Sequence, residues 1–504
     1  MQNNRKLAKY LLAMATLVVL ASTPATAAGE DRAPLGFHTG PFEDARVLHL
    51  LRRAAFGPTP ELVEEVHRLG RARWVAQQLE PETIEDPELE ARLALYPSLT
   101  MDAADLLANY PRQNNQMPMG IGPPQQVPFE VAAAIVTRAV HGKAQLNEVL
   151  TDFWFNHFNV SAEAGPVRLA VVSYVRDTIR PHAMGYFRDL LRATSESVAM
   201  LYYLDNYANV APGSRGRRSG TNENYARELL ELHTLGIEGG YTETDIQEVA
   251  KAFTGWTFTN PNTGTVEFVF VPRLHVGGDK TVLGRRIASG GQDEGIQILD
   301  MLASHPSTAR FIATKLLRRF LTDDPAPELV ERVADTFLAT GGHIGWTVAT
   351  ILLSDEFQSP AYRLKKTKTP LELIASALRA TGAEVGQGVG AARLIGNLGQ
   401  PMLKATAPTG WPEIASGILS PGGMSTRFEA GYLLATNNLP GVRIDDGLWA
   451  PIVELWGIEG LAQYILGRPA GAFTRAALEK AAGEGAAPAL LAALVLASPE
   501  FQQQ

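Results

Sequence analysis

The sequence of 504 residues contains no cysteine. This absence excludes disulfide bonds, thiol nucleophiles, thiolate metal sites and an acylated N-terminal lipoprotein cysteine. Such a chain must be held together by core packing, and its length suffices for one large core or for two smaller ones. Any metal ion would have to be bound by imidazole and carboxylate ligands.

Several sequence signatures of catalysis are also absent. There is no GxSxG elbow, no P-loop, no GxGxxG after a predicted strand, no EF-hand loop and no compact HExxH pair. Basic residues are outnumbered by acidic ones, 45 against 53, which gives a net charge of −8. A nucleic-acid partner requires a basic face, and the short basic run at 215–218 is interpreted as a solvated loop. The sequence therefore predicts no nucleic-acid partner.

The first 27 residues (1–27) have the organisation of a secretory signal peptide. Arg5, Lys6 and Lys9 precede an apolar run at 10–21, and small residues at 25–27 provide a cleavage site. The alternative is a membrane anchor, but about a dozen apolar residues fall short of the roughly 20 that cross a bilayer. We predict cleavage, a linker at 28–40, and an exported periplasmic or extracellular protein without a transmembrane anchor. Cleavage would remove three cations and leave the mature chain more acidic.

Most of the remaining chain has the periodicity of amphipathic helices. The segments 60–79, 127–141, 145–157 and 327–338 repeat apolar residues at intervals of three and four. An exception begins at Trp256, where β-branched and aromatic runs alternate with turn residues, which indicates a hairpin. The predicted fold class is mainly α: a large multi-helix globular body at 41–504 with a small β-hairpin insert near 256–285.

A faint internal repeat suggests a division of this body. The run LLRR at 50–53 precedes PELVEEV at 60–66, and LLRR at 316–319 precedes PELVERV at 327–333. Two helical lobes, 41–255 and 290–504, joined by the β insert at 256–285, would explain the repeat. Chance agreement between amphipathic helices explains it equally well.

A helix predicted at 224–235 divides its side chains in an unusual way. At about 100° per residue, Asn224, Arg227, Glu228 and Glu231 gather opposite an apolar side that contains His233. One interpretation is structural: a solvated face with an Arg227–Glu231 pair, and a core histidine bonded to a backbone carbonyl. The functional interpretation places the polar arc in an internal cleft, with Glu228 and Glu231 as a pair of acids.

The helix predicted at 145–157 shows the same pattern. Leu146, Val149 and Phe153 define an apolar stripe, which His157 continues. A buried imidazole without a partner costs on the order of 1–3 kcal/mol, so His157 and His233 each require one. Two histidines on two helices can share a carboxylate or a divalent metal ion. We expect both in the interior, within one polar cluster.

A third polar block surrounds Gly277 and Gly278 and contains His275, Asp279 and Lys280. Glycines beside polar residues allow the backbone to approach a ligand closely. They suit an ordinary turn equally well, with Asp279 as a turn residue and Lys280 exposed. Both interpretations stay open.

Several blocks occur together along the chain: LLRRAAFG at 50–57, DFWFNHFNV at 152–160, NENYARELLELH at 222–233, TGW at 254–256, KTKTP at 366–370 and GWP at 410–412. As a set they resemble the exported bacterial family known as domain of unknown function 1800. The chain departs from the family at His275, which is followed by valine where relatives read His-Asp, and at 196–198, where a His-Pro is common. The first departure puts in doubt any role that needs an acid beside His275.

The resemblance also implies genomic company with a second exported family, domain of unknown function 1501, which resembles sulfatases. No catalytic residues are established for the first family, so none is carried over to this chain. The partner implied by the resemblance is therefore an exported sulfatase-like protein.

Two functions follow as alternatives. In the first, a cell-envelope enzyme acts on a small polar or saccharide-like substrate in a cleft lined by the blocks at 152–160 and 222–233. Its candidate catalytic residues are His157, Glu228, His233 and Asp279; its candidate binding residues are Asn156, Asn224, Arg227, Glu231, Trp256, His275 and Lys280; a divalent metal ion is a candidate cofactor. In the second, the chain is a non-catalytic partner that docks through an exposed apolar or aromatic patch. Convergence of the four catalytic candidates on one pocket would favour the enzyme.

Overall fold

Helices form most of the chain, as the apolar periodicity predicts. The computed structural model describes residues 44–111, 122–214, 220–259, 266–419 and 421–504. It is 61% helical, and each sheet within the described residues has two strands. The prediction of a mainly α fold with a small β insert is confirmed. The predicted signal peptide and linker (1–40) lie outside the described residues.

The first group of helices precedes the β insert. Its α-helices are α1 (Ala45–Ala54), α2 (Pro60–Leu69), α3 (Arg71–Gln78), α4 (Pro87–Leu93), α5 (Ala103–Asn109), α6 (Gln126–His141), α7 (Gln145–His157), α8 (Val167–Ser173), α9 (Phe187–Glu196), α10 (Val198–Tyr203), α11 (Asn224–Glu228) and α12 (Glu243–Ala252). Helices α8 and α11 continue into π-helical turns at Tyr174–Ile179 and Leu229–Thr234. Short 3₁₀ turns lie at Pro81–Thr83, Pro97–Thr100, Arg180–His182 and Asn206–Ala208.

The β insert contains two short antiparallel hairpins. Strand β1 (Trp256–Phe258) pairs with β2 (Phe268–Phe270), and β3 (Lys280–Val282) pairs with β4 (Arg285–Ile287). The predicted turn at 260–264 lies outside the described residues. The second tight turn is at Leu283 and Gly284, both with positive φ, and not at Gly277 and Gly278 as the glycine pair suggested. Positive φ at both central residues suits the right-handed twist of a two-residue hairpin.

The second group of helices follows the insert. It comprises α13 (Gln292–Ala303), α14 (Pro306–Phe320), α15 (Pro327–Ala339), α16 (Ile344–Leu352), α17 (Asp355–Gln358), α18 (Pro370–Ala380), α19 (Val389–Asn397), α20 (Ala415–Ile418), α21 (Pro421–Ala435), α22 (Trp449–Leu466), α23 (Ala472–Gly483) and α24 (Pro488–Leu496). Short 3₁₀ turns lie at Pro272–Leu274 and Pro360–Tyr362, and β5 (Glu384–Val385) pairs with β6 (Val442–Arg443).

A large hydrophobic core connects the parts of the chain on both sides of the insert. It takes in residues from Val47 to Phe501. Arg53 in α1 reinforces this connection, since its guanidinium donates to the backbone carbonyls of Arg319 and Phe320 in α14. The division into two lobes stays a prediction. Among the described helices, none is both long and apolar enough to span a bilayer.

Helix α7 packs into the core along one face, and this packing positions the candidate site on its other face. Leu146, Val149 and Phe153 are buried on its core face. The start of the helix is fixed by Gln145, whose side-chain amide donates to Ala139 and Gly142 carbonyls and whose oxygen accepts from Phe56 N. These contacts hold α7 rigidly, so the polar residues on its other face have fixed positions.

Candidate functional site

A cleft opens along the polar face of α7. We call it the Asp152 cleft; it contains about 830 Å³ of empty space, its open mouth included. Its polar lining comes from α7, from Arg180 and Arg319, and from the segment 400–413. The polar and aromatic residues of its lining include Glu148, Asp152, Phe155, Asn156, Asn159, Arg180, Arg319, Gln400, Trp411 and Glu413. Residues three, four and seven apart on a helix share one face, which is why a single helix supplies so many of them.

Asp152 lies in the middle of this lining. Protein surrounds its carboxyl group, yet 34% of the side chain is accessible from the cleft. Burial above all, together with the charges of Glu372 and Glu413, raises the pKa of Asp152 to about 6 against the opposing effect of Arg319. A carboxyl group with this pKa can both give and take a proton near neutral pH. Asp152 is therefore the residue of the cleft best suited to proton transfer.

Behind Asp152 lies a buried ion pair between Arg319 and Glu372. The guanidinium of Arg319 contacts the carboxylate of Glu372 and lies 3.8 Å from the carboxylate of Asp152. Burial alone would raise the pKa of Glu372, but Arg319, Arg53 and the backbone N–H of Thr369 together lower it to about 2. Glu372 is thus a permanent negative charge, and it fixes Arg319 beside the cleft.

Asn156 holds the opposite wall of the cleft in place. Its side-chain amide donates to the carbonyl of Trp411 over 2.9 Å, and its oxygen accepts from Trp411 N over 2.7 Å. The same amide lies 3.3 Å from the carboxylate of Glu413. Gly410 has φ +71°, and a Cβ there would lie 2.4 Å from the backbone oxygen of Asn156. The close approach therefore requires glycine, which gives the GWP motif a physical reason.

Asn159 extends this attachment by one further turn. Its side-chain amide donates to the carbonyls of Ala405 and Ala407 over 3.1 and 2.9 Å. The hydroxyl of Tyr203 donates to the carbonyl of Thr406 over 2.8 Å. The segment that carries Trp411 and Glu413 is therefore fixed along its length, and its side chains keep their positions relative to Asp152.

A second charged group lies at the α7 start of the cleft. Glu148 pairs with Arg180 and lies 4.0 Å from Arg138. Its side chain is 7% exposed. The lining therefore combines three carboxylates with two guanidinium groups, and no single sign of charge dominates it.

The two predicted histidines lie on the other side of α7, in the interior. His157 and His233 are each 2% exposed, and their ring centroids are 6.1 Å apart. The expectation that both are interior and adjacent is confirmed. Their surroundings are aromatic, with Trp154 and Phe158 against them, where the sequence had suggested a polar cluster.

The hydrogen bonding of His157 fixes its tautomer. Its Nε2 lies 3.1 Å from the backbone carbonyl of His233, and a carbonyl only accepts, so Nε2 carries the proton. Nδ1 of His157 and Nε2 of His233 are buried and have no hydrogen-bond partner in the described structure. Burial followed by the charge of Lys315 lowers the pKa of His233 to about 3 and that of His157 well below its usual value. Both rings are therefore neutral.

These histidines do not form a metal centre with other ligands. Across the described residues there is no group of three or more histidine, aspartate or glutamate side chains placed to hold a metal ion. A neighbouring cation, Lys315, also opposes the binding of a second positive charge. The donor set therefore does not fit the predicted shared metal.

The polar arc of α11 lies at the surface and outside the Asp152 cleft. Asn224 is exposed, and the side chain of Arg227 is 38% exposed. Arg227 pairs with Glu243 over 2.6 Å and with Glu231 over 3.5 Å. Glu228 is half-buried, and burial raises its pKa. This placement matches the solvated-face interpretation; the block at 222–233 contributes no residue to the lining of the cleft.

The third block is divided between surface and interior. Asp279 is at the surface and pairs with Arg286. Lys280, which the ordinary-turn interpretation would have left exposed, is buried, with its ammonium 2.5 Å from the carboxylate of Glu294. His275 Nε2 lies 3.2 Å from the same carboxylate, and its Nδ1 donates to the carbonyl of Thr254 over 2.9 Å. Lys280 lies in the interior because its partner Glu294, on α13, is itself a fully buried acid.

Trp256, a predicted binding residue, is fully buried in the core. A Cβ at Gly295 would lie 2.6 Å from its ring, so the indole packs directly on the backbone of α13. Glu228, Asp279 and the pair of His157 and His233 thus lie in three different surroundings, and the four catalytic candidates share no pocket.

Sequence reasoning missed the charged residues that define the cleft. Asp152 begins the DFWFNHFNV block, Arg319 ends the second LLRR run, and Glu372 and Glu413 follow the KTKTP and GWP motifs. An available signal was the position of Asp152, an acid one residue before Phe153 on a helix whose apolar stripe was predicted to be buried. No local pattern indicated that Arg319 and Glu372 would meet.

Fold and site together define a helical protein with an acid-containing cleft built from one rigid helix and one fixed loop. The chain belongs to the family described as "Protein of unknown function (DUF1800)", whose model matches residues 49–503. No curated protein and no solved structure shows significant similarity to it. The resemblance found in the sequence is confirmed.

Proposed function

We propose that the protein is an exported cell-envelope enzyme that hydrolyses a saccharide-like substrate in the Asp152 cleft. The observation that supports this most is Asp152 itself. Its carboxyl group has a pKa of about 6 and is open to the cleft. Hydrolysis of glycosidic bonds commonly uses two carboxyl groups, one as the acid and one as the base or nucleophile. Glu413 is the second carboxyl group of the proposed pair.

The proposed reaction assigns one proton transfer to each acid. Protonated Asp152 donates to the oxygen of the leaving group as its bond to carbon breaks. Glu413 takes a proton from the water molecule whose oxygen forms the new bond to that carbon. One water molecule is consumed, two hydroxyl groups are formed, and exchange with solvent restores the two carboxyl groups. Arg319, 3.8 Å away, stabilises the carboxylate that Asp152 becomes once it has given up its proton.

The lining supports a neutral polyhydroxylated substrate. Trp411 and Phe155 present aromatic surface, which suits the apolar face of a sugar ring. The carboxylates accept hydrogen bonds, and the guanidinium groups of Arg180 and Arg319 donate them. Because the lining contains charges of both signs, neither a strongly anionic nor a strongly cationic ligand is favoured.

The proposal of export rests on the N-terminal pattern of basic, apolar and small residues at 1–27. Fractionation of cells that express the full-length chain, with N-terminal sequencing of the recovered protein, tests it. A chain that begins at Met1 in the cytoplasm contradicts it.

The enzyme proposal is tested with a panel of neutral polysaccharides and oligosaccharides, measured by release of reducing ends. We expect release from at least one of them, and loss of more than about a hundredfold in Asp152→Asn. Asp300→Asn, a substitution of an exposed aspartate on α13, is the matched control and retains activity. A panel without release, or an Asp152→Asn variant as active as the parent, refutes the proposal.

A second candidate function is a docking partner for an exported sulfatase-like protein. One observation favours it: Phe428 and Tyr432 are each about half exposed, at 50% and 48%, and lie one turn apart on α21. Residues four apart share a helix face. Co-elution with the sulfatase-like protein from the same bacterium should be lost in Phe428→Ser/Tyr432→Ser and kept in Asp152→Asn. Co-elution that is unchanged by both variants excludes this surface.

A further inference from the structure

A second pocket, which shares no lining residue with the Asp152 cleft, is built around Lys368. We call it the Lys368 pocket; it contains about 410 Å³ of empty space, its opening to solvent included. Its walls include Arg52 from α1, Ser376 from α18, and Glu500, Phe501 and Gln503 near the end of the chain. The pocket therefore joins elements that are distant in sequence, and its two cations come from different elements.

Lys368 is the central residue of this pocket, and it is buried. The residue is only 4% exposed, and its ammonium lies 3.7 Å from the centroid of the Phe501 ring. Its backbone N–H donates to the carbonyl of Gln502 over 2.9 Å, and its own carbonyl accepts from Arg427 over 3.0 Å. The base of the side chain is thus fixed, and the ammonium is held over an aromatic face.

No carboxylate in the described part of the chain lies within ion-pair distance of the Lys368 ammonium. Two other buried lysines of this protein have such a partner, since Lys366 pairs with Asp323 and Lys280 with Glu294. Transfer of an ammonium group from water to a protein interior is costly unless it is paired. Burial lowers the pKa of Lys368 well below its usual value, and no carboxylate partner like those of Lys366 and Lys280 offsets that effect among the described residues. A bound anion would favour the charged form.

The other charges around the pocket leave this imbalance in place. Arg52 repels Lys368, and burial together with Arg468 lowers the pKa of Arg52 to about 10. The one acidic side chain among the lining residues, that of Glu500, is already engaged, because its two oxygens accept from Gly471 N and from the Thr474 hydroxyl over 2.8 and 2.6 Å. Glu372, which attracts Lys368 from outside the pocket, is committed to Arg319.

We propose that the Lys368 pocket binds a small oxyanion, either a phosphate or a carboxylate group, with the Lys368 ammonium as the principal donor and Arg52 as the second cation. Such an anion supplies the charge that the described side chains do not. The proposal does not depend on the chemistry of the Asp152 cleft, so the two can fail separately.

The test measures thermal unfolding of the whole mature chain in a zwitterionic buffer. Inorganic phosphate, acetate or sodium chloride is added at matched ionic strength. We expect phosphate or acetate to raise Tm saturably by about 3 °C relative to chloride. The preferred anion distinguishes a tetrahedral from a planar ligand. If neither anion raises Tm saturably, the proposal is overturned. A Lys368 side chain that is uncharged in the folded protein would give this negative result.

The variant Lys368→Met keeps the length of the side chain and its contact with Phe501 while removing the charge. It should lose the response to the anion and, without anion, should melt at or above the temperature of the parent protein. Lys365→Met, an exposed neighbour, is the matched control and keeps the response. Lys368→Met that still responds overturns the proposal. Should that variant not fold, calorimetric titration of phosphate into Arg52→Gln decides, with about a tenfold weaker Kd expected and an unchanged Kd contradicting it.

Discussion

The carboxylate of Asp152 lies 3.8 Å from Arg319, the same guanidinium group that pairs with Glu372. Two acids thus share one cation, yet their pKa values move in opposite directions. Glu372 is in direct contact with Arg319 and also accepts from Thr369 N over 2.8 Å, so its charged form is stabilised. Asp152 has neither advantage, and burial raises its pKa to about 6. Of the two acids that share Arg319, Asp152 is therefore the one that can hold and donate a proton near neutral pH.

The raised pKa of Asp152 predicts a specific pH dependence of stability. A group whose folded pKa exceeds its unfolded value stabilises the fold at low pH, and this stabilisation is lost as pH rises through the folded pKa. Between pH 4 and pH 7 we expect a loss of roughly 1 kcal/mol from this group, since exposure to the cleft weakens the effect. Asp152→Asn should lack this component in urea unfolding at the two pH values, while Asp300→Asn retains it. Parallel pH dependences in the parent and Asp152→Asn would contradict the assignment.

The same pKa predicts the pH profile of the proposed reaction. A general acid loses its proton as pH rises, so kcat/KM should fall about tenfold per pH unit above pH 6. Glu413→Gln removes a negative charge that raises the pKa of Asp152, and should therefore move any residual alkaline limb to lower pH. Glu331→Gln, which removes an exposed acid of α15, leaves the profile in place. A limb that does not move in Glu413→Gln argues that the two acids are not coupled.

The Arg319–Glu372 pair should behave as a buried ion pair. Arg319→Met leaves a buried carboxylate without its partner and should cost about 3–5 kcal/mol of unfolding free energy. The double variant Arg319→Met/Glu372→Gln removes both charges and should recover at least half of that loss. Arg310→Met, which breaks an exposed pair with Glu331, should cost less than about 1 kcal/mol. Additive losses in the double variant would show that the pair is not coupled.

Gly410 offers a test of the attachment between α7 and the opposite wall. Gly410→Ala places a Cβ 2.4 Å from the backbone oxygen of Asn156 and adds the strain of a positive φ. Gly485→Ala is matched in φ, at +77°, but meets nothing within 4 Å. Strain alone costs about 1 kcal/mol, so Gly485→Ala should lose about that much and Gly410→Ala at least 1–2 kcal/mol more. Equal losses in chemical denaturation would mean that the wall shifts freely.

The neutral state of His157 and His233 is directly observable. Since burial lowers both pKa values, neither ring should take up a proton between pH 8 and pH 5 in the folded protein. Nitrogen NMR should show His157 as the Nε2–H tautomer throughout. As pH falls below about 6.5, the unfolded chain binds protons that the folded one does not, so each imidazole lowers stability by up to about 1.4 kcal/mol per pH unit. Titration of either ring near pH 6.5 would refute the buried assignment.

The parts of this fold that local sequence controls were predictable. Apolar periodicity located helices such as α7, and the alternation after Trp256 located the β insert. The apolar stripes also placed His157 and His233 in the interior, because a histidine that continues such a stripe is carried inward with it.

The cleft was not predictable, because its charges meet only through tertiary packing. Asp152 lies on α7, Arg319 on α14 and Glu372 on α18, and no local spacing relates them. The sequence could not reject an exposed Lys280 for the same reason: its partner Glu294 lies on a different element. From sequence alone, a charged residue in a turn is expected to be solvated, because the buried partner that would allow it to lie in the interior is not known.

The dependence of Asp152 on distant residues makes its proton affinity a reporter of assembly. A partly folded chain in which α7 has formed but α14 and α18 have not docked would leave this carboxyl group in water, where an aspartate has a pKa near 3.9. The raised pKa therefore requires that α7, α14, α18 and the loop of Glu413 have met. If the protonation state of Asp152 is monitored during refolding, molecules that have only gained helix can be distinguished from those that have become competent for proton transfer.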